Sequence, residues 1–244
     1  MTPEQPGLFD MNEPQPAKKT EEEKKPVLTA EPSAPPIAAE ETEPFFLPGV
    51  SQEPAWPEAE NLAELHAIAA HCTLCRLRST CTQVVFGEGP EDSRLMLIGE
   101  GPGQEEDSQG RPFVGRAGQL LEKILQAAEI QRADVYIANV VKCRPPQNRL
   151  PDAEEVKACK GYLQAQIRLI NPGIIVCLGA LATQTVVDPR ARISKVRGIW
   201  LNRAGIKIMP TFHPAALLRN PEYKRPVWED FKLIRDEYRK ICGK

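Results

Sequence analysis

Four cysteines, two glycine-bracketed turns, one asparagine and one histidine are the residues of this chain whose types and spacing could do chemistry. Cys72 and Cys75 form a C-x2-C pair, while Cys143 and Cys159 have 15 residues between them and lie 67 residues further on. Thiolates alone select zinc or an iron–sulfur cluster. The spacing leaves those two level, with buried free thiols as the third reading. Either metal would act as a staple between an N-terminal helix and a loop after the second strand, since nothing in the sequence offers an open coordination position. Cys177 sits inside an apolar run and reads as core. Cys81 and Cys242 have no partner at a telling distance.

The stretch Arg94 to Gly118, RLMLIGEGPGQEEDSQGRPFVGRAG, carries a second kind of chemistry. Its apolar run Leu95–Ile98 stops at Gly99, as a buried parallel strand does at the edge of its sheet. Gly99, Gly101, Pro102 and Gly103 then predict a tight turn that backbone or ligand can approach closely. The acids Glu105, Glu106 and Asp107 follow, and Phe113 sits in a second turn between glycines. Carboxylates, a presented ring and open backbone at a strand's carboxyl end are what an open α/β sheet offers a ligand. The plainer reading, an acidic surface loop, leaves the ring unexplained. Asn139, near the end of a second strand in ANVVKCRPP, has both donor and acceptor for reading a base edge, or is a satisfied structural amide. His213, before Pro214 in MPTFHPAALLRNP, is placed at the same edge. Leu217 and Leu218, expected to be exposed beside Arg219, suit insertion into a DNA duplex, unless their loop packs on the last helix.

Positioning these residues requires a sheet. Strand-like runs recur at Leu95–Ile98, Val135–Val140, Ile174–Leu178 and Ile206–Met209. Helical patterns separate them at Ala117–Ala128, Ala153–Leu169 and Leu181–Val187, after a first helix from Asn61 and before a last at Pro226–Ile241. This alternation predicts an α/β fold: a three-layer sandwich with a central four-stranded parallel sheet.

Residues 1–60 differ in kind. They hold 12 of the 24 prolines and 4 Lys against 13 acidic residues, whereas the rest of the chain has 27 basic and 20 acidic residues. Such a segment buries too little to offset its ordering entropy, so it is expected to be a disordered acidic tail before one domain, residues 61–244. Within it, Gln5, Leu8 and Phe9 resemble the short motif by which bacterial repair proteins hold the sliding clamp. The basic body suits a polyanionic partner. No run reaches the length of a membrane span, and the acidic start is unlike a signal peptide, which predicts a cytoplasmic protein, expected to be a monomer.

Together the motifs GEGPGQEED, RPFVGRAGQLL, ANVVKCRPPQNR and TFHPAALLRNPEYKRPVWED, with the two cysteine pairs, resemble the family 4 (thermophile-type) uracil-DNA glycosylases that carry a [4Fe–4S] cluster. The resemblance runs from about Cys72 to Tyr238. It implies that Cys72, Cys75, Cys143 and Cys159 ligate the cluster, and that uracil is flipped from DNA and its N-glycosidic bond hydrolysed. Phe113 would stack on the base, Asn139 read its edge, His213 stabilise the departing uracil, and Leu217 fill the vacated space. Glu100, Gly101 and Gly103 belong to the first motif. The wider superfamily has a water-activating Asp and a thymine-excluding Tyr where this chain has Gly101 and Gly103, so the water role is expected at Glu106. Two other classes compete. A nucleotide-binding enzyme lacks its third glycine and its G-K-[ST] here. A non-enzymatic iron–sulfur DNA-binding partner of a polymerase or clamp would not need Asn139 and His213 together.

Overall fold

The structure, a computed structural model, describes residues 45–50 and 57–243. In chain order the elements are α1 (Leu62–Ala70), β1 (Leu95–Gly99), α2 (Gln104–Gln109), α3 (Arg116–Ala127), β2 (Val135–Asn139) and α4 (Ala153–Ile170). They continue with β3 (Ile174–Leu178), α5 (Ala180–Val186), α6 (Ile193–Val196), β4 (Leu201–Arg203), β5 (Ile206–Thr211), α7 (Pro214–Arg219) and α8 (Lys224–Cys242). The strands form one sheet in the order β2-β1-β3-β5-β4.

Every residue of β1, β2 and β3 is buried, as expected of parallel strands covered on both faces. The side-chain alternation of β1 shows the two cores. Met96 and Ile98 face a cluster with Leu62 and Leu65 of α1 and Tyr162 and Leu163 of α4. Leu95 and Leu97 face Leu121, Ile124 and Leu125 of α3 and Phe231 and Ile234 of α8. The helices start where their caps allow. Asn61 Oδ1 accepts the Glu64 amide, and Asp152 and Glu155 form a reciprocal capping box at α4.

Two expectations need correction. The sheet has five strands, because β4 pairs antiparallel with β5, Arg203 opposite Ile206. Ala204 and Gly205, both at positive φ (50° and 76°), close that hairpin in the geometry that matches sheet twist. Residues 45–50, assigned to the tail by composition, instead pack on the domain. Leu47 is 1% exposed, and its amide donates to Gln164 Oε1 of α4 at 2.7 Å. Gln5, Leu8 and Phe9 lie outside the described residues. Among the described residues, no helix is long and apolar enough to cross a membrane.

The fold brings the predicted site together by register. Gly99 pairs with Asn139 across β1 and β2, and β5 delivers His213 two residues beyond its end. Since β2 and β3 flank β1 on opposite sides, the loop after β1 opens at the point where the strand order reverses. That is where such sheets leave a crevice.

Candidate active site

The crevice is lined by Glu100, Gly103, Phe113, Asn139 and His213, with Arg116, Leu150 and Arg219 further out. At its floor Asn139 is 2% exposed. Its Oδ1 is the one buried side-chain oxygen or nitrogen without a hydrogen-bond partner among the described residues. Burying an unpaired amide oxygen costs about 1–3 kcal/mol, so its persistence points to a ligand that supplies a donor.

Phe113 stands over this floor in a backbone the chain must be forced to adopt, at φ 52°. One arginine holds it there and two glycines make room for it. Arg132 donates to the carbonyls of Pro112 and Phe113, at 2.7 and 3.3 Å. Gly118 lets the turn close, because a Cβ there would lie 2.0 Å from the Phe113 oxygen. Gly99 leaves room for the reader and the ring together: a Cβ would fall 2.4 Å from Asn139 Oδ1 and 2.6 Å from Phe113 Cζ.

His213 faces the ring, centroids 5.5 Å apart. Its Nδ1 accepts the Ala215 amide at 3.1 Å, which leaves the proton on Nε2 and makes that nitrogen a donor. Burial, aided by the positive charge of Arg219, pushes its pKa down to about 4. The imidazole is therefore a neutral donor at physiological pH.

Two sequence expectations shift at this level. Glu106 is spent on scaffolding. One carboxylate oxygen accepts the amides of Val114 and Gly115 at 3.0 and 2.9 Å, and the other accepts the Gly103 amide at 3.1 Å. It ties the first turn to the Phe113 turn and has little capacity left for a water. It also lies on α2, a six-residue helix. Leu217 is 2% exposed and packs among Phe113, Leu121 and Phe231. Its neighbour Leu218, at 42% exposure, is the one presented to solvent.

The four paired cysteines line a separate apolar cavity with Leu77, Val84, Val141 and Tyr162. Burial raises the pKa of Cys75 and Cys143 and pushes Cys159 up to about 11. Cys159 Sγ accepts the Lys142 amide at 3.3 Å. Among the described residues, no set of three or more His, Cys, Asp or Glu converges closely enough for one metal ion.

Comparison with known proteins agrees with this geometry. The Uracil DNA glycosylase superfamily profile matches residues 86–232. A type-4 uracil-DNA glycosylase of Thermotoga maritima is 53% identical over 175 residues, 69% of this chain and 90% of that protein. The type-4 enzyme of Archaeoglobus fulgidus is 40% identical over 193 residues, 76% of this chain and 95% of its own length. That of Sulfurisphaera tokodaii is 41% identical over 186 residues, covering 72% and 84% of the two chains. The chain belongs to the type-4 uracil-DNA glycosylases.

Some residues at this type-4 site were not legible in the sequence. Lys142, 2% exposed, donates Nζ to the Asn139 carbonyl at 2.8 Å and to Gln166, bracing the reader strand from behind. A lysine inside ANVVKC breaks an apolar run, which was its only sequence signal. Arg132 lies 19 residues from the turn it clamps and gave no signal. Glu100 was placed in the first motif without a distinct task. Burial raises its pKa, and Arg219 opposes that rise only in part; Glu100 stands at the cleft wall with an arginine in its field.

Proposed function

We propose that this chain is a monofunctional uracil-DNA glycosylase that extrudes uracil and hydrolyses its N-glycosidic bond, the first step of base excision repair. The observation that carries the reading is the unpartnered Asn139 Oδ1 at the floor of a cleft walled by Phe113 and His213. Extrusion costs a few kcal/mol, and stacking on Phe113 returns roughly 1–3 kcal/mol whatever the base. Selectivity therefore falls to Asn139. Its oxygen accepts the N3–H of uracil and its amide donates to O4, whereas cytosine opposes both. His213 Nε2–H donates to the uracil oxygen that gains charge as the bond breaks. A neutral fixed donor in a dry pocket stabilises that charge without reorganising.

Water positioning is assigned to Glu100. Glu106 is consumed by three amides and Glu105, also on the cleft wall, is exposed, whereas Glu100 is partly buried and its raised pKa suits a group that must accept a proton. Leu218 takes the gap-filling role expected of Leu217, because it is the leucine already exposed on α7. Cys72, Cys75, Cys143 and Cys159 are proposed to hold a [4Fe–4S] cluster, a reading supported by their shared cavity and by membership of the type-4 family. Bound there, the cluster supplies a rigid cross-link between the end of α1, the loop after β2, and α4. The acidic fragment with Gln5, Leu8 and Phe9 is proposed to bind the sliding clamp. A DNA-binding protein without activity would have no use for a base-reading amide kept unpaired.

Single-turnover base release from matched uracil and cytosine duplexes tests the assignment. Wild-type protein should release uracil only. Asn139→Asp should lose most uracil release, and its carboxylate should admit the exocyclic amine of cytosine. Undiminished uracil release by this variant would remove Asn139, and the cleft with it, from the reaction.

A further inference from the structure

The loop after β2 presents a feature that the reaction described above does not use. Leu150 is 68% exposed, yet it lines the same cleft as Asn139, Phe113 and His213. Its backbone is gripped on both sides. Gln147 and Asn148 hold left-handed conformations, φ 56° and 57°, and Asn148 Oδ1 accepts Arg144 Nε at 2.8 Å. Arg149 forks onto both Glu155 oxygens at 2.8 and 2.6 Å and donates to the carbonyl of Leu150 itself at 2.9 Å. Pro151 and the capping residue Asp152 follow directly. The backbone is fixed while the apolar side chain is left in water, where burial would stabilise it. On a wall of the cleft separate from α7, a rigidly mounted leucine has the chemistry of a side chain that enters a base stack.

We propose that Leu150 is a second duplex wedge. It presses between bases beside the extruded uracil, from the loop after β2, while Leu218 approaches from α7. The proposal rests on the cleft being the place where the base is taken up. It predicts that Leu150 matters for opening a duplex and is idle when there is no stack to open.

The test uses the full chain and one uracil-containing strand, offered single-stranded or annealed opposite adenine, under single-turnover conditions. Leu150→Ala should slow release from the duplex about tenfold, as expected for losing most of a leucine's burial. Release from the single strand should stay near wild type, which also shows that the variant is folded. Leu150→Met, which restores apolar bulk, should recover most of the duplex rate. Equal losses on both substrates, or no loss on the duplex, would overturn the proposal. Asn139→Asp, run beside it, separates the two readings: if that variant kept full activity on both substrates, the cleft assignment would fail whatever Leu150 did.

Discussion

His213 and Asn139 are proposed to divide the labour of the pocket, and the way each is held says how each should fail. His213 is fixed as a neutral donor by one backbone amide and by burial. Its pKa of about 4 lies below the ordinary 6.5, so between these values the unfolded chain takes up a proton that the folded site refuses. The site is neutral above that window, and it loses stability as pH falls through it. The His213 ring resonance should therefore titrate near pH 4, and single-turnover uracil release should show no histidine limb near pH 6.5. A midpoint near 6.5 would mean a charged donor at work. His213→Ala should slow release by about 10²–10³, the usual loss for one oxyanion-type donor, with little change in DNA affinity. The types and spacing of Asn139, Phe113 and His213 were legible in the sequence because each ends a strand or sits between glycines. The roles expected of Glu106 and Leu217 were not. Three backbone amides and a helix packing face decide those, and neither leaves a mark in residue type.

The cysteine-bearing elements do the positioning, and a second ionic set braces them. Glu155, nearly inaccessible, accepts from Arg149 and from Arg76, the residue after Cys75. The Arg149 hydrogen bonds above all pull its pKa down to about 2. Its contribution is therefore full above the ordinary carboxylate range and is lost as pH falls toward 2. With this brace in place, the proposed cluster would be a staple between segments already close together. Anaerobically purified protein should be brown and contain iron. Cys143→Ala should lose the colour and much of the soluble yield, while Cys177→Ala, at a fully buried strand position outside the cavity, should keep the colour. A colourless folded protein that holds zinc would reverse the cofactor reading. Helices α3, α4 and α8 and the parallel strands were legible to within a residue or two from apolar periodicity alone. The three-residue β4 was not, since so short a strand has no alternation to read and its Ala-Gly turn is not a strong hairpin signal.

At the scale of the whole molecule, the boundary between tail and domain is where composition misled. Residues 45–50 sit in a proline-rich, acidic stretch, and composition averages over the one leucine that matters. Leu47 is buried in the core between α1 and α4. Gln164, itself 1% exposed, spends its amide on this segment, accepting from the Leu47 amide and donating to the Phe45 carbonyl, each at 2.7 Å. Lys160 reaches the Pro48 carbonyl as well. The unit that holds the domain runs from Glu43 to Lys244, so the cut that spares it lies before residue 43 and not near residue 60. Removing residues 1–42 should leave melting temperature and uracil release unchanged while abolishing any binding of a sliding clamp. Removing residues 1–55 should cost a buried leucine, about 1.5–3 kcal/mol, and leave a buried amide unpaired, about 1–3 kcal/mol. At roughly 2–4 °C per kcal/mol for a domain of this size, that is a fall of about 5–25 °C in melting temperature. Differential scanning calorimetry of the two truncations separates the cases, and equal melting temperatures would place the Leu47 segment outside the folded unit. Uracil release by the shorter protein should survive at low temperature, because neither Leu47 nor Gln164 lines the cleft.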